Sequence, residues 1–108
     1  MFERKPPIRS TQEDVAELAE DLDRFVIGLA ERVDAIQDAE MAKSWSDVAE
    51  LARTLANDAD RLGYPVMAMS SKSVAMAAED AKMDTLQDAI IDLTDLAQRI
   101  RRGHRGAA

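Results

Sequence analysis

Apolar side chains recur at steps of three and four residues through most of this chain, and the segment 44–65 shows the pattern most clearly. The steps along its apolar face are 3, 4, 4 and 3, at Val48, Leu51, Leu55, Ala59 and Leu62. Side chains spaced in this way share one face of an α-helix. The opposite face is polar and carries Glu50, Arg53, Asn57, Asp60 and Arg61. The segment therefore predicts an amphipathic helix that buries one side against the rest of the protein.

The sequence also marks both ends of this helix. Ser44 and Asp47 have the spacing of a capping box, in which each side chain hydrogen-bonds to a backbone amide near the other residue. Gly63 adopts the left-handed backbone conformation at little cost, and Pro65 cannot continue a helix. We therefore expect the helix to begin at Ser44 and to end at Gly63.

A longer helix is predicted before it, over about residues 12–42, with Thr11 and Asp14 as its N-cap pair. Its apolar positions again step by three or four, at Val15, Leu18, Leu22, Phe25, Leu29, Val33 and Ile36. Such a stripe forms either one face of a bundle core or a coiled-coil seam, and just over three heptads do not separate the two. Gly28 is a candidate for a bend or a close helix crossing.

Two more helices are predicted after the central one. The third covers about residues 66–81, with a core face at Val66, Met69, Ser70, Ser73, Val74 and Ala77. The fourth covers about residues 85–102 and begins at a capping box of Asp84 and Gln87. Its apolar positions are Leu86, Ile90, Leu93, Ala97 and Ile100.

These segments together predict an all-α protein. No stretch alternates with a period of two, so no strand is indicated. Four amphipathic helices with short connections favour an antiparallel up-and-down four-helix bundle, here over residues 11–103. Residues 1–10 include Pro6-Pro7 and are expected to form a flexible N-terminal arm, with a short docking arm as the alternative. Residues 104–108 are expected to be a disordered tail.

Composition excludes several classes of function. The net charge of −7 argues against a nucleic-acid partner, whose phosphates would be repelled. The chain lacks cysteine and has one histidine, His104, so neither a thiolate site nor an inward-facing Glu-x-x-His pair is present. We therefore expect no metal and no cofactor. No apolar run approaches the roughly 20 residues of a membrane span, and a cytoplasmic location without membrane association is expected.

The central helix resembles the motif of histidine phosphotransfer (HPt) domains. These domains carry a helix reading roughly His-x-Leu-Lys-Gly-Ser-Ala-x-x-Leu-Gly, often after an Asp-Trp-x-x-Leu lead-in. The segment 53–63 keeps the framework of that motif at Leu55, Ala59, Leu62 and Gly63, and Trp45 stands in the lead-in. The resemblance covers about residues 22–102 and implies the same four-helix fold, in which the first helical segment is often broken. We expect such a break near residues 20–24.

The functional positions of the motif differ from those of the family. Arg53 stands where the phosphorylated histidine is expected, Ala56 replaces the lysine and Asn57 replaces the glycine. A guanidinium stays protonated and cannot accept a phosphoryl group as an imidazole does. The resemblance therefore implies a degenerate HPt domain that is not an enzyme and has no catalytic residues.

Arg53 then has two interpretations. It either pairs with neighbours such as Glu50, Asn57 or Asp60, or it enters the aspartate cluster of a receiver domain as a charge-assisted partner. The second interpretation predicts a partner-binding surface for a receiver or histidine-kinase domain, formed by Glu50, Arg53, Ala56, Asn57 and Asp60. The alternative is a generic helical bundle, structural or homodimeric, that is unrelated to phosphorelay signalling.

Overall fold

The computed structural model describes residues 5–104, which fold into a short 3-10 helix and four α-helices. The 3-10 helix spans Ala16–Leu18. The α-helices are α1 (Ala19–Met41), α2 (Trp45–Arg61), α3 (Pro65–Glu79) and α4 (Met83–Gly103). Over residues 5–104 there is no β-strand, and none of these helices is long and apolar enough to cross a membrane. The predicted all-α fold with four helices is confirmed.

The helices enclose one apolar core. Each helix packs against the next along the chain, and α1 also packs against α4, so that the four form a closed ring. The largest side chains that are fully buried come from all four helices and the connection between α2 and α3: Val26, Leu29, Ile36, Val48, Leu55, Leu62, Tyr64, Met67, Val74, Leu86, Leu93 and Ile100. Burial of each such side chain contributes about 1.5–3 kcal/mol, and this term holds the helices together.

Polar contacts between helices indicate their relative directions. Asp21, near the start of α1, accepts a hydrogen bond of 3.2 Å from Arg61 at the end of α2. Asp23 lies 2.7 Å from His104, the residue that follows α4. These contacts place the start of α1 next to the end of α2 and to the residue that follows α4.

The three corners between helices share one backbone geometry. Each has three residues, and the middle one is left-handed: Lys43 (φ 57°), Gly63 (φ 83°) and Ala81 (φ 55°). The residue after it, at Ser44, Tyr64 and Lys82, donates its amide to a carbonyl five residues back at 2.8–3.0 Å. This is the Schellman hydrogen bond that satisfies the last carbonyls of a helix. Gly63 therefore ends α2 as predicted, and Pro65 begins α3, where its missing amide costs nothing.

The start of the first helix differs from the prediction. The α-helix begins at Ala19, and a turn over residues 11–14 and the 3-10 helix precede it. The break therefore lies just before residues 20–24. The Ser10 hydroxyl accepts a hydrogen bond of 2.9 Å from the Gln12 amide within the turn that precedes both helices. The predicted N-cap pair of Thr11 and Asp14 is therefore wrong: the residues before the 3-10 helix and before α1 are Val15 and Leu18, and neither helix has a side-chain cap.

The body of α1 clarifies two open points. The stripe from Leu22 to Ile36 is buried inside the bundle, so it is a core face and not a coiled-coil seam. The helix continues through Gly28, and a Cβ atom added there would meet nothing within 4 Å. Gly28 therefore does not mark a close helix crossing.

The predicted capping boxes form differently. The Ser44 hydroxyl donates to the Asp47 carboxylate at 2.7 Å, so these two side chains bond to each other and neither caps α2. Helix α4 begins at Met83, ahead of Asp84, and also has no side-chain cap. In both helices the first helical hydrogen bond is accepted by the backbone carbonyl of the last corner residue, which is Ser44 before α2 and Lys82 before α4.

Helix α3 is rotated relative to the prediction. Its buried residues are Met67, Ala68, Ser71, Val74, Ala75, Ala77 and Ala78. Val66, Met69 and Ser73, which were predicted for the core, are exposed. Most residues of α3 are small or apolar, so hydropathy alone does not identify its inner face.

The ends of the described chain lie against the bundle. The Ile8 amide donates to the Arg99 carbonyl at 3.0 Å, and the Thr11 amide donates to the Gly63 carbonyl at 2.8 Å. The Ser10 hydroxyl donates to the Leu62 carbonyl. Residues 5–10 are therefore packed and not a free arm, and His104 is held by Asp23 and not part of a tail. The rest of the expected arm (1–4) and tail (105–108) lies outside the described residues.

Candidate protein-interaction site

Four of the five predicted surface residues lie together on the outward face of α2. Glu50, Arg53, Asn57 and Asp60 are all exposed, at helical steps of three and four. The opposite side of the helix is closed by Val48, Ala49, Ala52, Leu55, Ala56 and Ala59. The amphipathic pattern therefore holds the four polar side chains outside while the core fixes the helix that carries them.

Ala56 is the exception, and its assignment to the surface was wrong. It is 1% exposed. Position 56 follows Ala52 by four residues and precedes Ala59 by three, so it shares their inward direction. The Ala56 side chain is therefore part of the packing between helices.

Arg53 pairs with a residue that the sequence did not indicate. Its Nε donates to Glu79 Oε2 at 3.3 Å, and its Nη2 donates to the other carboxylate oxygen of Glu79, near the end of α3. Both side chains are about half exposed, so water screens the pair and it contributes little to stability. The guanidinium is therefore held on the surface by a partner that it can exchange at low cost.

Two other arginines connect α1 with α2. Arg32 donates to Asp58 at 2.9 Å and also lies over the Phe25 ring at 5.8 Å from its centroid, while Arg61 donates to Asp21. These contacts lie on the α1 side of α2, and Arg53 lies on the α3 side. Of the three, Arg53 is the arginine on the predicted binding face.

A groove runs between α1 and α2 beside this face, with a volume of about 790 Å³. Its floor includes Ala35, Ala39 and Leu51, and its rim includes Glu31 and Glu50. Leu51 was predicted for the core but is 38% exposed here. The sequence did not predict the groove, because helical spacing shows only that Leu51 lies on the apolar face of α2. It does not show whether a neighbouring helix covers the Leu51 side chain.

The framework residues of the motif have structural roles. Leu55, Ala59 and Leu62 are buried, Trp45 is partly buried against the core, and Gly63 makes the left-handed corner. Within residues 5–104, no group of three or more His, Asp or Glu side chains is placed to hold a metal ion. His104 lies between the end of α4 and Asp23 and is 11% exposed. The outward face of α2 presents one guanidinium, one amide and two carboxylates, from Arg53, Asn57, Glu50 and Asp60.

Comparisons with models of protein families, with curated proteins and with solved structures give no match for this chain.

Proposed function

We propose that this protein is a non-catalytic interaction module of two-component signalling, which binds a receiver or histidine-kinase domain through the outward face of α2 without relaying phosphate. The observation that carries the proposal is the exposed Arg53 at the position of the phosphoacceptor histidine, on a helix whose framework residues are kept. A cytoplasmic location fits this role, because receiver domains are cytoplasmic.

The binding step is an exchange of carboxylates. In the free protein Arg53 is paired with Glu79. A receiver presents several aspartates in one pocket, and a guanidinium can bind such oxygens with two parallel hydrogen bonds. Arg53 thus leaves one exposed carboxylate for a denser cluster, while the uncharged Asn57 beside it offers a further hydrogen-bonding group. No phosphoryl transfer follows, because the guanidinium remains protonated.

The proposal is tested by measuring the affinity of the purified protein for the receiver and kinase domains encoded near its gene. Arg53→Glu reverses the charge at the centre of the face and is expected to weaken binding at least tenfold. Arg24→Glu is the matched control, because Arg24 is an exposed arginine of α1 with a side chain that is 75% exposed. Equal affinities of wild type and Arg53→Glu for every bound domain would refute the proposal.

A second variant tests the exchange itself. Glu79→Gln removes the carboxylate that competes for Arg53 and is expected to strengthen receiver binding by up to about fivefold, as for the loss of an exposed ion pair worth about 0.2–1 kcal/mol. Weaker binding by Glu79→Gln would show that the Arg53–Glu79 pair is part of the docked surface and would contradict the exchange.

Incubation with a phosphorylated receiver tests the non-catalytic part. We expect binding without transfer of label to this protein. Label that remains covalently on the chain would show a phosphotransferase.

A further inference from the structure

The outward face of α3 carries a stripe of large apolar side chains. Val66 is 55% exposed, Met69 is 70% exposed and Met76 is 57% exposed, with the small Ser73 between the two methionines. The steps of 3, 4 and 3 place the four residues on one line along the helix. The line is opposite the buried side of α3, so the bundle itself does not cover it. We call Val66, Met69, Ser73 and Met76 the α3 stripe.

The other helices do not show this concentration. Among the described residues, the remaining large apolar side chains that are exposed are scattered over α1, α2 and α4: Ile27, Met41, Leu51 and Ile91. Single exposed residues of this kind are common in proteins, whereas a continuous stripe is typical of a surface that is covered by a partner.

The charge distribution favours a second copy of this chain as the partner of the α3 stripe. Helix α3 has one lysine, Lys72, and one glutamate, Glu79, so its net charge is zero. Helix α1 has seven acidic and two basic residues, α2 has four and two, and α4 has four and three. Because the whole chain carries −7, two copies repel each other over most of their surface. The α3 stripe is the face on which a second copy meets the least repulsion.

The spacing of the stripe is compatible with two-fold pairing. Its positions are symmetric about position 71: Val66 and Met76 lie five residues to either side, and Met69 and Ser73 lie two residues to either side. Two α3 helices that cross antiparallel about a two-fold axis therefore place Val66 of each copy against Met76 of the other, and Met69 against Ser73. An interface with two-fold symmetry requires a patch of this kind, in which each residue meets its mirror position.

Shape favours the same pairing. A groove of about 570 Å³ runs beside the stripe between α3 and α4, with Val66, Met69, Ser70 and Ser73 on the α3 side and Ala89, Asp92, Asp95, Leu96 and Arg99 on the α4 side. Lys5 also lines it, and both Lys5 and Arg99 lie within 4 Å of Asp95, so the two acidic and two basic groups of the groove balance in charge. Methionine side chains are flexible and fill irregular grooves well. The small Ser73 lets the Met69 of a partner approach the helix backbone.

From the symmetric stripe, the neutral helix and the adjacent groove we infer that the α3 stripe is the interface of a homodimer with antiparallel α3 helices. The inference does not depend on the proposed receiver binding, since Arg53 lies on a different helix. One helix face is smaller than the roughly 800 Å² per partner of a standard interface. The dimer is therefore weak, and it dissociates on dilution to micromolar concentrations.

Sedimentation velocity of the full chain between about 5 and 500 µM tests the dimer. We expect the sedimentation coefficient to rise with concentration, and to rise further in high salt, which screens the repulsion between acidic copies. Met69→Lys places two charges within the dimer interface and is expected to keep the protein monomeric at all these concentrations. Met41→Lys is the matched control, an exposed methionine on α1, and is expected to associate like wild type.

The antiparallel register has its own test. Val66→Glu and Met76→Lys each disfavour their own homodimer, because the new charge faces an apolar residue. When the two variants are mixed, Glu at 66 faces Lys at 76 of the other copy, so association is expected to recover. A wild-type chain that stays monomeric at 500 µM would overturn the inference. Loss of association in Met41→Lys but not in Met69→Lys would also overturn it, and a mixture that remains monomeric would exclude the antiparallel register.

Discussion

At the scale of single residues, Gly63 combines two constraints. Its φ of 83° is in the left-handed region, where a Cβ atom is costly. A Cβ built on Gly63 would also lie 2.6 Å from the Ser10 hydroxyl oxygen and 2.7 Å from the Thr11 hydroxyl oxygen. The N-terminal segment therefore packs directly on the corner that ends α2. This packing gives a structural reason for the glycine that the resemblance identified as a framework position.

A pair of glycine substitutions tests this account. Gly63→Ala is expected to lower the free energy of unfolding by about 2 kcal/mol or more, because backbone strain and displacement of residues 10–12 add together. Gly28→Ala, inside α1 and free of contacts, is expected to raise it by about 0.5–1 kcal/mol through helix propensity. Urea denaturation measures both. Equal effects of the two substitutions would contradict the role given to Gly63.

Tyr64 is a buried phenol whose titration reports the folded state. Its ring is 1% exposed and stacks on Phe25, with centroids 5.7 Å apart. Burial, with a smaller contribution from the Glu13 carboxylate, raises the pKa of Tyr64 from 10.0 to about 12. Between these two pH values the unfolded chain loses the phenolic proton and the folded chain keeps it, so deprotonation favours unfolding.

We therefore expect the free energy of unfolding to fall as the pH rises from about 10 to about 12. Tyr64 is the one tyrosine of the chain, so tyrosinate absorbance follows it directly. In Tyr64→Phe, which keeps the stacked ring, the part of the alkaline loss of stability that depends on the phenol should disappear. Tyrosinate formation near pH 10 in the folded protein would show that the ring is accessible to water.

At the scale of helices, the corners are the repeated element. All three have the same hydrogen bonds, but only the corner between α2 and α3 has a glycine at the left-handed position. Lys43 and Ala81 occupy that conformation at a cost that glycine avoids. Both side chains are exposed, so their removal disturbs no packing.

Lys43→Gly and Ala81→Gly are each expected to raise the free energy of unfolding by about 0.5–1 kcal/mol, after allowing for the greater entropy of glycine in the unfolded chain. Lys43→Ala keeps a Cβ at the same position and is the control, with little expected change. Thermal and urea unfolding of the three variants give the comparison. A loss of stability in both glycine variants would argue against strain at these corners.

The sequence predicted helices α1, α2 and α4 better than α3. In those three, large apolar residues alternate with charged ones, so the inner face is identified by contrast, as at Leu55 between Arg53 and Asn57. In α3 the buried Ser71 and the exposed Met69 reverse the order that hydropathy predicts. Packing against α2 and α4 determines which face of α3 is buried, and the local sequence pattern of α3 does not indicate that face.

The sequence predicted the candidate site only in part. Helical spacing alone placed Glu50, Arg53, Asn57 and Asp60 on one exposed face. The same spacing directs Ala56 inward with Ala52 and Ala59, but the motif and not the periodicity assigned Ala56 to the surface. The Arg53–Glu79 pair joins residues 26 positions apart, which is a distance along the chain that no helical period describes.

At the scale of the whole molecule, residues 5–11 pack across one end of the four-helix ring. It crosses from α4, where Ile8 bonds to Arg99, to the corner after α2, where Thr11 bonds to Gly63. Sequence reasoning expected a flexible arm here, with a short docking arm as the alternative. The prolines do not indicate which elements such an arm would contact, because those contacts join residues far apart in the chain.

The closeness of the two ends of the described chain has one further consequence. The Lys5 carbonyl accepts a hydrogen bond of 3.1 Å from Arg102, so residues near both ends lie side by side. A short linker between these two ends would leave the bundle folded. New chain termini at Lys43, in the exposed corner between α1 and α2, would interrupt no helix. The circularly permuted protein made in this way should reach the same architecture, with α2 as its first helix and α1 as its last.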